Sequence, residues 1–301
     1  MKGKIASTCL LFLTAIIWGF AFVAQVEGVK YIGPFTLNGI RVALGAVSLI
    51  PVTFLVERGR SEKEERRKTL IASVVAGSVL FAASSLQQIG IGITGSAGVA
   101  GFITGLYTVF IPIACWIFFR QKTSAATWAG AILAALGLFL LCYKVGEGVS
   151  FGLGELLLLI GAFFWTAHVI IIDKLGKNIR SLHLSLGQYT VCAILSFVCM
   201  FTFEEPRLDN ILEAKWAILY CGLLSVGIAY TLQVVAQKRA EPAFAAIILS
   251  TEAVFSAIGG VIFGIDHMTV WGYIGCALMF LGIIFSQSST KKTEASKNNF
   301  E

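Results

Sequence analysis

The sequence predicts an all-α membrane protein, ten transmembrane helices in two inverted five-helix repeats, on three observations. Of 301 residues, 57% are hydrophobic and 13% charged, and mean hydropathy is +0.83. Ten apolar stretches have the roughly 20 residues that a helix needs to cross the hydrocarbon core. The third observation is an internal repeat. A shift of 147 overlays Leu10 on Leu157, Ala15 on Ala162, Trp18 on Trp165, Leu37 on Leu184, Phe54 on Phe201 and Glu57 on Glu204. Further along, a shift of 145 overlays Gln88 on Gln233, Val109 and Phe110 on Val254 and Phe255, Gly130 on Gly275 and Gly137 on Gly282. Backbone amides cannot go unpaired in lipid, so stretches of this length are helices, and a barrel would show short alternating segments instead.

The first span, residues 5–26, follows Lys2 and Lys4 as a secretory signal would, but its apolar run is too long and lacks a small-residue cleavage site. It is expected to be a retained helix. The second is 34–56. The third, 69–91, follows a basic run at 57–68 that reads as a solvated loop touching lipid headgroups. The fourth and fifth are 95–119 and 125–143; the second repeat supplies 152–172, 182–203, 215–236, 242–263 and 269–287. Residues 1–143 thus form one repeat and 144–287 the other, with 288–301 a disordered tail. Gly98, Gly101 and Gly105 in the fourth span, and Ser256, Gly260 and Gly264 in and just past the ninth, have the spacing of close helix contacts.

Charge placement sets the orientation. With the N-terminus inside, 18 of the 23 Lys and Arg residues fall in inner segments, only Lys30, Lys144, Arg207 and Lys215 in outer ones, and Arg41 inside a span. The positive-inside rule then puts both termini in the cytoplasm of a plasma (inner) membrane protein. The net charge of +6 is therefore a topology signal, and nucleic-acid binding, which wants basic residues on one face, is not expected. All seven cysteines fall inside spans without CxxC spacing, which supports neither a disulfide framework nor a metal site. Five spans per half is odd, so the second half enters the membrane from the opposite side. Inverted repeats of this kind are the organisation of secondary transporters, with the site at mid-membrane where the repeats meet.

The phrase AIIWGFAFV in the first span, Arg41 in the second, the fourth span from Thr94 to Phe119, and the stretch from Ile228 to Phe285 together resemble the drug/metabolite transporter (DMT) superfamily, EamA type. The resemblance covers nearly the whole chain as two EamA copies. It implies a ten-helix inverted-repeat carrier with cytoplasmic ends, commonly an exporter of amino acids, related metabolites or drugs. Two departures stand out. The family's Glu-Pro in the ninth span is Glu252-Ala253, and its Gly-Glu before the tenth is Gly264-Ile265-Asp266, with Gln121 matching Asp266 in the first copy. The missing proline weakens the expectation of a kinked ninth helix, and Asp266 is expected to be a cap at the water interface.

Ionisable groups inside a span are costly to insert and are candidates for function. Arg41, His168 and Glu252 are the three well inside. Asn38 lies three residues before Arg41 on one helix face, and their repeat mates Ser185 and Gln188 are also polar and three apart. Arg41 suits bidentate carboxylate binding, or else a structural role. For Glu252 three readings stand: proton coupling, a fixed ion pair with Arg41, or cationic-substrate binding. His168 shares a helix side with Trp165 and reads as either packing or site. Trp18 and Trp165 could wall a cavity and stack on a substrate. Gln88 and Gln233 are a second matched polar pair, Tyr230 and Gln237 extending a seam along the eighth span; Tyr107, the mate of Glu252, and Thr108 complete the candidate lining, and Pro112 can bend the fourth span.

No GxSxG elbow, phosphate loop, HExxH or paired intramembrane aspartates occur, so an enzyme is the least favoured class, and no cofactor is implied. The expected function is alternating-access transport of a small-molecule substrate, with membrane lipids as surroundings and proton coupling through Glu252 open. A cationic-drug exporter and a channel or scaffold are the alternatives.

Overall fold

The computed structural model describes residues 2–57, 63–120, 124–141, 143–144, 148–149, 151–176, 179–237 and 248–288. The first repeat contains α1 (Lys2–Gly28), α2 (Pro34–Val56), α3 (Lys63–Thr94), α4 (Ala97–Gly105), α5 (Tyr107–Phe119) and α6 (Ala125–Leu141). A two-residue antiparallel ladder follows, Tyr143–Lys144 against Gly148–Val149. The second repeat contains α7 (Leu153–Leu175), α8 (Ser181–Phe203), the short α9 (Leu208–Glu213) and α10 (Lys215–Leu219), a π-helical stretch (Tyr220–Ala229), α11 (Tyr230–Gln237), α12 (Glu252–Ile262) and α13 (Val270–Ser288). The tail after Ser288, Gln121, Lys238, Arg239 and the start of the ninth span lie outside the described residues, as does Cys142.

Seven of these helices, counting α4–α5 and α10 through Gln233 as single units, are long and apolar enough to cross a membrane. The fifth, ninth and tenth sequence spans are shorter apolar helices, Trp128–Leu140, Glu252–Ile262 and Val270–Phe285. Large side chains such as Phe54, Phe118, Phe201 and Ile262 point outward, as lipid-facing positions require. The protein is an all-helical multi-pass membrane protein built from two repeats.

The packing follows the repeat. α3 lies on α7 as α1 lies on the π-helical stretch and α11, α3 on α8 as the π-helical stretch on α2, and α4 on α7 as α12 on α1. Three pairs, α2–α8, α4–α12 and α6–α13, are their own mates. They therefore straddle a pseudo-two-fold axis, with α1, α3, α7 and the π-helical stretch as side walls.

Small residues make the approaches possible, because packing and not hydrophobic transfer holds helices together in lipid. A Cβ at Gly137 would stand 2.6 Å from the Gly275 carbonyl oxygen, and one at its mate Gly282 would stand 2.6 Å from that of Gly130. Gly77 meets Val191 of α8 at 2.7 Å, while its mate Gly222 meets Leu44 of α2, the mate of Val191, at 2.8 Å. The fourth and ninth spans touch where their small residues coincide, Gly101 against Ser256.

Candidate functional site

The α2–α8 pair carries a buried polar network. Asn38 donates through Nδ2 to Ser84 Oγ and Ser196 Oγ, both at 3.0 Å, and its Oδ1 accepts from Arg41 Nε and Nη2 at 3.2 and 3.0 Å. Arg41 is only 7% exposed, and the Cys221 thiol is also within its bonding reach. Three residues apart on one helix face, Asn38 and Arg41 meet as their spacing requires. On α8, Ser185 donates to Tyr230 Oη at 2.6 Å, Gln188 Oε1 lies 2.8 Å from His168 Nε2, and Tyr189 packs edge-on against Tyr230. Sequence reading missed Ser84, Tyr189, Cys192 and Ser196. A signal existed for two of them: Ser84 lies one turn before Gln88, and Ser196 eight residues after Gln188 on the same stripe.

The opposite wall holds two helix breaks. The fourth span is interrupted at Leu106, so that α5 begins at Tyr107, and the ninth is interrupted at Ser250–Thr251, so that α12 begins at Glu252. Tyr107 and Glu252 are repeat mates, and they lie close enough to interact electrostatically. Pro112 sits beyond the first break, while the second has no proline at all. Threonine hydroxyls bond backward at both: Thr108 to the Gly105 carbonyl at 2.8 Å and Thr251 to that of Ile248 at 2.6 Å. Such back-bonds compete with the helical ladder and bend it. Among the described residues of the ninth span, the turn at Ser250–Thr251 forms without the family's proline. Glu252 stands in the first turn of α12, where the helix dipole favours a carboxylate.

Among the described residues no carboxylate lies within 4 Å of Arg41 and no cation within 4 Å of Glu252, so the ion pair between them is not formed. Both remain buried, at 7% exposure each.

The side walls carry the other candidates. Trp18 Nε1 donates to the Ser225 carbonyl of the π-helical stretch at 3.0 Å, whereas its mate Trp165, edge-on to His168, has a buried indole N–H without an acceptor among the described residues. Gln88 is fully buried with neither amide atom bonded among the described residues, and Gln233 is half-buried. The Gln237 side chain lies outside the described residues. Asp266 acts as a cap, its Oδ2 accepting from the Gly98 amide at 2.7 Å at the start of α4. It is 5% exposed. No cluster of three or more metal-ligating side chains occurs among the described residues.

The EamA-like transporter family matches residues 6–143 and again 152–287. An uncharacterized transporter of Archaeoglobus fulgidus is 26% identical over 91% of this chain and 83% of its own length. The uncharacterized transporters YoaV and YwfM of Bacillus subtilis are each 23% identical, over 90% and 99% of this chain and 93% and 98% of theirs. A solved crystal structure of a protein 19% identical in sequence superposes with a TM-score of 0.66, covering 96% of this chain and 98% of that one, which shows a shared fold. A repeated, all-helical membrane chain with paired helix breaks, matched over both halves, is a member of the EamA-like transporter family and a membrane transporter.

Proposed function

We propose that this transporter carries small zwitterionic metabolites, amino acids or close relatives, and exports them across the plasma membrane by alternating access, with both termini cytoplasmic. The observation that carries the substrate class is the separation of Arg41 from Glu252. A buried cation on one wall and a buried carboxylate on the other, each without an opposite charge within 4 Å among the described residues, suit a ligand that brings both. Arg41 is held by Asn38 through an edge that leaves other guanidinium donors for a carboxylate. The pseudo-two-fold packing gives inward-facing and outward-facing arrangements similar contacts, which supports alternating access. The 18 to 4 basic bias supports the orientation, and the direction of transport follows the family.

Glu252 also gives the route for proton coupling, because a buried carboxylate that meets no cation within 4 Å among the described residues can take up a proton when cargo leaves. One observation favours a second substrate class: Glu252, which meets no cation within 4 Å among the described residues, also suits a cationic drug. Counterflow in proteoliposomes with radiolabelled L-amino acids and with tetraphenylphosphonium separates the two. Exchange of amino acids that is lost in Arg41→Leu supports the proposal. Exchange of the cation alone, lost in Glu252→Gln and kept in Arg41→Leu, assigns the drug class instead, and no exchange of either removes both.

A further inference from the structure

A crevice of about 360 Å³ opens between the α1–α2 turn and the end of α3, bordered by Lys30, Tyr31, Pro34, Gly92 and Ile93. Gln88 lies at its floor. That side chain is 0% exposed, and among the described residues both its Nε2 and its Oε1 lack a partner. An amide buried without hydrogen bonds costs about 1–3 kcal/mol. It is tolerated in a transporter where a ligand completes it in another step of the cycle. Ser84 follows one turn deeper on the same face of α3, and it is bonded to Asn38, which holds Arg41. A file of polar groups therefore runs from the crevice floor to the central network. A second crevice of about 400 Å³ shares Val29, Lys30 and Gly92 with the first and adds Glu27, which is ion-paired with Lys30. The mouth of the Gln88 crevice thus carries Lys30, paired with Glu27 of the adjoining crevice, a pair that a zwitterion can exchange for its own two charges, and the floor carries one amide that both donates and accepts.

We infer that the Gln88 crevice is an outer docking position for zwitterionic amino compounds, reached before or after the Arg41 network on the face opposite the N-terminus. The inference rests on the transport reading above. Gln88→Leu keeps the volume and removes both polar atoms, so thermal stability in detergent should stay level or rise. In amino-acid counterflow the same variant should raise KM about tenfold, the worth of one or two lost hydrogen bonds. A structural amide would behave the other way, with a lower melting temperature and transport falling only with the folded fraction, and that result overturns the inference.

Gln88→Cys, in a background with the native cysteines replaced by alanine, gives a readout that needs no substrate. A membrane-impermeant methanethiosulfonate should label it from the face opposite the N-terminus. A crevice filled by an acyl chain would leave it unlabelled and likewise overturns the inference. Loss of exchange in Arg41→Leu alongside unaltered KM and no labelling at position 88 would retain the central site and remove the outer one. Labelling at 88 with no amino-acid exchange by the parent would retain the crevice and remove the assigned substrate.

Discussion

Glu57 and Glu204 cap each other's helices. Glu57, at the end of α2, accepts from the Leu182 and His183 amides at the start of α8 at 3.0 and 3.1 Å, with His183 Nδ1 at 2.7 Å. Glu204, at the end of α8, accepts from the Phe35 and Thr36 amides at the start of α2, both at 2.8 Å, and from Thr36 Oγ1 at 2.6 Å. The 147-residue shift that overlays the two acids also overlays Phe35 on Leu182 and Thr36 on His183. Each carboxylate thus answers amides that the other helix cannot satisfy itself, at the positive end of its dipole. Two such bonds at opposite ends of one pair require α2 and α8 to run antiparallel. The repeat relation and its inversion are visible in a single reciprocal contact.

Neutralising either acid removes a charged cap. Glu57→Gln and Glu204→Gln should each lower stability by about 1–2 kcal/mol, and because the sites are at opposite ends of the pair the double variant should lose the sum. Thermal unfolding in detergent measures it. Unchanged midpoints would mean that the two contacts contribute nothing.

The Glu57 end responds to acid. Burial alone would raise the Glu57 carboxyl, but the His183 ring, the Leu182 and His183 amides and the charge on His183 together hold it below the usual carboxylate range. Arg180, bonded to the Glu57 carbonyl and to Glu65, completes the charged surroundings. A lowered folded-state pKa means that the cap contributes fully above the ordinary glutamate value of about 4.3 and is lost as pH falls through the folded value. Stability in wild type should therefore drop more steeply below about pH 4 than in Glu57→Gln, as unfolding followed across pH 3 to 7 would show. Parallel curves would contradict it.

At the α6–α13 contact, Gly137→Ala and Gly282→Ala would each push a methyl to 2.6 Å from a backbone carbonyl of the other helix. Backbone cannot move aside as a flexible side chain can, so each should cost roughly 1–3 kcal/mol, and the two should cost alike because the sites are repeat mates. Gly92→Ala, with only the Val29 side chain at 4.0 Å, should be neutral. Folded yield on size exclusion separates the three.

The spans and the repeat were legible because lipid imposes one pattern on length and composition. The shared face of Asn38 and Arg41 was legible too, since helical spacing alone brings the pair together; that they bond to each other was not. The breaks before Tyr107 and Glu252 were not. Pro112 drew attention to the fourth span and the missing proline drew it away from the ninth, whereas both breaks carry threonine hydroxyls bonding backward over three residues, a signal common in unbroken helices as well. The match of Glu57 with Glu204 stood in the sequence, but its meaning needed the other repeat's helix start beside it. The separation of Arg41 from Glu252 also depends on which helices form the facing walls, and no spacing along the chain encodes that.

Asn38→Leu leaves the buried Arg41 guanidinium without its acceptor and should cost about 1–3 kcal/mol. Adding Arg41→Leu removes the stranded charge, so the double variant should recover part of that stability. Amino-acid exchange should stay lost in the double variant. Recovery of both would make Arg41 a purely structural cation.

The central claim is that the repeat-related breaks at Tyr107 and Glu252 border a chamber open in turn to each side of the membrane. Labelling Tyr107→Cys in the cysteine-free background, with an impermeant thiol reagent applied to right-side-out and to inside-out vesicles, tests it most directly. Modification from both faces, each rate shifting when amino acid is supplied on one side, is the expected result. Modification from one face only, or from neither, would contradict the account.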